Sequence, residues 1–173
     1  MMTYYKNLSP IVRFFVHFVT LMLLFYAFYY SSIYENYIMP GLLNFEAKMA
    51  KLFLSIFGIK TEVTGDSIHN NVEGVSIKGG CDGMEATFLY IAAVLSLPLV
   101  AAKYKYPALI YGLIILVILN IIRIAGLFLA KIHYPSIFEF LHLHGGVVIF
   151  MMISIVMWLI WVQWVMKKTN VPQ

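Results

Sequence analysis

Apolar residues run almost unbroken over four stretches of this chain, and the polar residues between and within them carry its candidate chemistry. The stretches are 11–30, 84–102, 106–130 and 143–166. Each is long enough, as a helix, to cross a hydrocarbon core of ~30 Å. The second is uncharged apart from Glu85, and the third is apolar except for Asn120 and Arg123. The fourth is rich in Trp, Met and Ile, with His144 near its start. The first ends in Phe28, Tyr29 and Tyr30, and no small-residue cleavage site follows. It therefore reads as a retained transmembrane helix, not a cleaved leader.

Between the first two stretches the pattern changes twice. Over 42–57, Asn44, Lys48, Lys51 and Ser55 recur at helical spacing with apolar residues around the remainder. This predicts an amphipathic helix, lying in the interface plane or inserted in the bundle. Glu46 falls on its apolar side, where nothing in the sequence explains it. From Thr61 to Lys78, Val63, Ile68, Val72, Val75 and Ile77 are interspersed with polar residues, and Asn70-Asn71 offers a turn. That pattern predicts a short β-hairpin. The expected fold is thus an α-helical integral membrane protein of four transmembrane helices, or five if 42–57 inserts, forming a single membrane domain over 1–173.

Composition agrees with this reading. Hydrophobic residues are 62% of the chain and charged residues 12%, against about half and about a quarter in soluble domains. The net charge of +4 is arranged by side. Lys6, Arg13, Lys103, Lys105, Lys167 and Lys168 occupy the N-terminal segment, the loop between spans two and three, and the C-terminal segment, with no acid among them. The positive-inside rule then places both termini in the cytoplasm and turns 31–83 and 131–142 outward. No basic cluster of nucleic-acid type is present. The aromatic residues read as interface belts and bundle packing.

The outer segment meets the second span at Gly79-Gly80-Cys81-Asp82-Gly83-Met84-Glu85. The glycines permit a sharp turn. Asp82 and Glu85 have capping-box spacing, which would start the helix near Asp82 and set Cys81, the single cysteine, at or just before its N-terminus. The helix dipole favours a thiolate there, whereas Asp82 and Glu85 oppose it, so a cationic partner is required. Arg123 is the charge well inside an apolar span, roughly 10 Å below the outer end of its stretch at Ala130 by helical rise. His133, His142 and His144 lie on the same side. A nucleophile, a base and an anion stabiliser in one partly dry site are the components of thiol acyl transfer. His142 and His144 fall on nearly opposite helix faces, so one site takes only one of them. No metal and no organic cofactor is implied by these residues.

Gly-Cys-Asp-Gly-Met-Glu at 80–85, Asn-Ile-Ile-Arg-Ile at 120–124 and His142 near the last helix resemble the Cys, Arg and His motifs of exosortases and archaeosortases. The short chain and its Cys-x-Gly-x-Glu-Ala form are most similar to the exosortase H type. The resemblance runs from about Thr61 to Trp164. It implies a multi-pass cell-membrane cysteine enzyme with Cys81, Arg123 and His142 as catalytic residues. Its partners would be membrane lipid and exported proteins bearing a C-terminal sorting motif, a transmembrane helix and a basic tail. Cleavage would run through a thioester on Cys81, with release or transfer to a surface anchor. Larger relatives have more spans than are readable here.

Two rival readings compete. The chain could be a non-enzymatic transport or assembly component in which Arg123 binds an anion or a partner helix. A haem or quinone carrier using His17 and His142 is disfavoured, because the two histidines fall in opposite halves of the membrane.

Overall fold

The computed structural model describes residues 9–71, 73–77, 79–140, 142 and 146–169. Lys6, Val72, Lys78 and His144 lie outside them, so the expectations placed on those residues have no structural counterpart.

The first apolar stretch forms α1, Pro10–Tyr29. Ser9 caps it, its hydroxyl accepting from the Val12 amide at 3.3 Å, and Pro10 supplies the fixed φ suited to a first turn. A π-helical turn, Tyr34–Ile38, leads directly into α2, Met39–Ile56. The amphipathic pattern is realised in α2, with Leu43, Ala47, Ala50 and Leu54 buried and Lys48, Lys51 and Ser55 exposed. Glu46 is buried with the apolar group, 5% exposed.

The expected hairpin is a three-stranded antiparallel sheet: β1 Glu62–Thr64, β2 Ser67–His69 and β3 Gly74–Ser76. Asn70-Asn71 does fall at a turn, between β2 and β3, and the additional turn is at Gly65, which has φ +62°. Asp66 steadies that turn by accepting from the hydroxyls of Ser67 (2.8 Å) and Ser76 (3.2 Å). Period-2 burial places Ile68 and Val75, directly opposed in register, on the inner face.

The second apolar stretch departs from expectation. Helix α3 spans only Met84–Ser96, 13 residues, or about 20 Å of rise. Pro98 disfavours helical geometry at Leu97, whose backbone is extended at φ −70° and ψ 106°. Helix α4, Ala102–His133, has 32 residues, and a short α5, Pro135–Phe140, follows it. Helix α6 spans Gly146–Thr169. Three helices, α1, α4 and α6, are therefore long and apolar enough to cross a membrane, with α3 a shorter apolar fourth.

Helix α3 packs on α1, α4 and α6, while α2 and the sheet pack on the far end of α4. Close approach of α3 and α4 depends on Gly112, where a Cβ would lie 2.2 Å from the Tyr90 ring. Ser154 donates to the Ala86 carbonyl and ties α6 to α3 at 2.9 Å. Two large apolar cores result, with a smaller one of Tyr29, Tyr34 and Phe88 beside them. One large core contains Leu54, Ile68, Ile77 and Phe128 beneath the sheet; the other contains Val94, Leu116, Phe150 and Val165 within the bundle. Outward faces of α1, α4 and α6 carry exposed Ile, Leu, Val and Phe, as lipid-facing helices do.

Candidate functional site

Between the two large apolar cores lies a layer of buried polar groups centred on Cys81. The chain reaches it through Gly80 and Gly83, both with positive φ, +86° and +69°. Gly83 is constrained twice, because a Cβ there would also lie 2.9 Å from Asn120 and 3.0 Å from Phe150. Helix α3 starts at Met84, not Asp82, with Gly83 as its N-cap. The expected capping box is thereby replaced. Asp82 Oδ1 accepts from the Met84 amide two residues on, at 3.2 Å, and its other oxygen turns away from the helix. Cys81 precedes the first helical residue by three positions, so the helix dipole acts on the sulfur more weakly than the sequence suggested.

The cationic partner is present. Arg123 Nη2 donates to Cys81 Sγ at 3.8 Å. Its helix continues to His133, beyond Ala130, so Arg123 lies about 15 Å from the helix end by rise. It still meets Cys81, because the glycine loop dips to the level of α4 residue 123. Phe150 of α6 covers the guanidinium at 5.7 Å from the ring centroid. His142 Nδ1 lies 3.7 Å from the same sulfur, and its ring stacks on Phe138 of α5, with centroids 5.1 Å apart and planes 12° apart. Cys81 is 6% exposed. Thiol, guanidinium and imidazole thus converge from the loop before α3, from α4 and from the segment before α6.

Asp82, which from sequence opposes a thiolate, is satisfied elsewhere. Tyr29 and Tyr34 donate to its Oδ2 at 3.0 and 3.3 Å. Burial raises the Asp82 carboxyl above its ordinary range, while the Met84 amide and the two phenols act to lower it. Tyr29 also accepts from the Gly80 amide at 3.1 Å, so α1 holds the cysteine loop from behind. Both tyrosines read from sequence as belt aromatics, although their phenol groups are committed to the loop.

Asn120 and Glu46 complete the layer. The Asn120 amide nitrogen donates to Glu46 Oε1 at 3.0 Å and to the Cys81 carbonyl at 3.3 Å. Its oxygen accepts from Arg123 Nη1 at 3.4 Å. The signals that could have found these two were polarity inside an apolar span and an acid on an apolar helix face. His17, by contrast, lies on the exposed side of α1, roughly 18 Å along the helix from Tyr29. Among the described residues no three His, Cys, Asp or Glu side chains converge as metal ligands would.

The helices and the cluster together describe a multi-pass membrane protein that gathers a thiol, a guanidinium and an imidazole at one end of its bundle. The family model of transmembrane exosortases, the EpsH type, matches residues 10–159. The chain belongs to that family, whose membership points to protein sorting and processing at the membrane. The match takes in α1 and α2, ahead of the region that carries the motif resemblance. No curated protein and no solved structure gives a match.

Proposed function

We propose that this chain is a membrane cysteine protease or transpeptidase that cleaves the C-terminal sorting signals of exported proteins. The observation that carries this reading is a single sulfur with an imidazole nitrogen at 3.7 Å and a guanidinium nitrogen at 3.8 Å. His142 takes the proton of Cys81, and Arg123 favours the resulting thiolate by charge and hydrogen bonding. The thiolate attacks the scissile carbonyl. A sulfur–carbon bond forms, the carbon–nitrogen bond breaks, and His142 returns the proton to the departing amine. Water, or an acceptor amine or hydroxyl, then gives a proton to His142 and attacks the thioester carbonyl; the sulfur–carbon bond breaks and Cys81 leaves as the thiolate. Arg123 also offers a charged donor to the oxyanion of each tetrahedral intermediate.

Substrate reaches the sulfur from the membrane in this reading. A groove of about 380 Å³ between α4 and α6 is lined by Leu119, Ile122, Gly126, Ile149, Ile153 and Arg123 itself. The transmembrane helix of the substrate is the occupant that fits. Its walls are apolar, Gly126 allows close approach, and Arg123 joins the groove to Cys81. A helix seated there brings the residues preceding it to the sulfur. The basic ends of α4 and α6 support an orientation with both termini cytoplasmic and Cys81 outward. Lys103 and Lys168 both sit over the Tyr104 ring, at 5.1 and 6.0 Å, at the bundle end away from Cys81.

The test is processing of a co-expressed exported reporter carrying a sorting motif, a transmembrane helix and a basic tail. Cys81→Ala should abolish processing, and the wild-type enzyme should accumulate a hydroxylamine-labile adduct with the reporter. Processing that continues in Cys81→Ala would sink the enzyme reading and favour anion or partner-helix binding by Arg123.

A further inference from the structure

Glu46 has no role in the acyl-transfer steps, yet it is an acid carried into the protein on the buried face of α2, 5% exposed. Its immediate helix neighbours, Leu43, Ala47 and Ala50, are all buried and apolar. Glu46 Oε1 receives a hydrogen bond from Asn120 at 3.0 Å, while Oε2 has no partner among the described residues. Leaving an oxygen of such a group unpaired in an apolar face costs stability, so its presence there calls for a role.

What it secures is the orientation of Asn120. An asparagine amide has one acceptor edge and one donor edge, and which edge faces which neighbour follows from its partners. Glu46 and the Cys81 carbonyl are both acceptors and together hold the NH₂ edge. The oxygen edge is then left facing Arg123 Nη1, and Nη2 of the same fork rests on Cys81 Sγ. A guanidinium is planar and rigid, so fixing one nitrogen aims the other. We propose that Glu46 is a positioning residue for Cys81, acting through Asn120 to hold the Arg123 guanidinium on the sulfur. The proposal rests on the reading of Cys81 as the reactive group.

The charge balance around Glu46 is compatible with that role. The titratable groups near it are Arg123 on α4, Asp82 in the loop before α3, and Tyr34 on the π-turn. Burial pushes the Glu46 carboxyl up to about 8, with Asp82 adding to the rise and Asn120 and Arg123 opposing it. A carboxyl protonated at neutral pH orients Asn120 through its carbonyl oxygen without competing with the thiolate for Arg123.

Alkylation of Cys81 by iodoacetamide in the full-length detergent-solubilised protein tests the relay without any substrate. The rate is followed against pH for wild type, Glu46→Gln, Glu46→Met, Asn120→Ala and the Glu46→Met/Asn120→Ala pair. Glu46→Gln retains an acceptor for Asn120 and should keep the wild-type profile. Glu46→Met and Asn120→Ala should each move the profile at least about 1 pH unit higher, as loss of a cation close to a thiolate does. The pair should move it no further than Asn120→Ala alone. A Glu46→Gln profile displaced as far as that of Glu46→Met overturns the proposal, as does an Asn120→Ala profile equal to wild type. Additive shifts in the pair overturn it too. If Glu46→Met does not fold, the Glu46→Gln and Asn120→Ala profiles still decide. Should the relay hold while Cys81→Ala still processes the reporter, the proposed function fails and the positioning role stands.

Discussion

At the scale of single residues, the cluster separates charge from shape. Arg123→Lys keeps the cation but cannot reach Asn120 and Cys81 together, since a lysine has no fork. Reporter processing should fall about 100-fold, the order of magnitude lost with one oxyanion donor. Near-wild-type processing would mean that charge alone suffices. His142→Gln should abolish turnover yet leave Cys81 open to alkylation at high pH, where solvent removes the thiol proton. Glu46 makes a prediction of the opposite sign for stability. Its pKa rises from 4.5 to about 8 on folding. The folded state therefore binds the proton more tightly than the unfolded chain, and stability declines as pH rises between those values. Glu46→Gln should remove that decline, so the variant should melt higher than wild type at pH 8 and converge with it near pH 5. Equal melting temperatures at pH 8 would contradict the buried placement of the acid. Of these residues, Cys81 and Arg123 were readable from type and spacing, whereas residue type left His133, His142 and His144 open and the family resemblance singled out His142. Asn120 and Glu46 were visible only as misfits, because a polar residue in an apolar span has no meaning until its partner on another helix is known.

At the scale of elements, the glycine loop and the α4–α6 groove have separable roles. Gly83→Ala places a side chain at φ +69° against Asn120 and Phe150, so it should displace Cys81 from its partners. The expected outcome is loss of processing with a melting temperature lowered by several degrees, read by a thermal-shift assay. Gly126 has open space around its Cβ position. Gly126→Leu should therefore fold normally and obstruct the groove. Processing should drop about tenfold or more while the Cys81 alkylation profile remains unchanged. If alkylation shifts as well, the groove and the thiol site are not separable. The shortened α3 belongs to this scale too. Hydropathy counts apolar residues and cannot detect that Pro98 ends the helix, so stretch 84–102 read as a full span. The third strand was missed for a related reason. A turn at Gly65-Asp66 leaves segments too short for period-2 alternation to register.

For the whole molecule, two large apolar cores enclose a polar layer, and that layer draws on α1, the π-turn, α2, α4 and the loop before α3. Helix α1 contributes Tyr29, the π-turn Tyr34, α2 Glu46, α4 Asn120 and Arg123, and the loop before α3 Cys81 and Asp82. Groups this buried depend on one another, so removing one leaves its partners unsatisfied in a dry setting. Arg123→Leu should therefore destabilise the fold as well as abolish processing, by roughly 3–5 kcal/mol if the network is intact. Unfolding of the detergent-solubilised protein against denaturant measures this, and a change below about 1 kcal/mol would argue for a solvated arginine.

Composition and pattern along the chain were enough to establish that it enters the membrane, where its long apolar helices lie, and that Cys81, Arg123 and a histidine fall toward one end. Those properties are local, set by composition, by period and by the side on which lysines accumulate. Tertiary packing settled what remained: that His142 reaches the sulfur and that Asp82 is held by two tyrosines. It also gave Glu46 a partner. Each of these depends on which residues from distant parts of the chain face one another. Hydrogen bonding and burial settle that only when the helices pack, and no window along the sequence contains both partners.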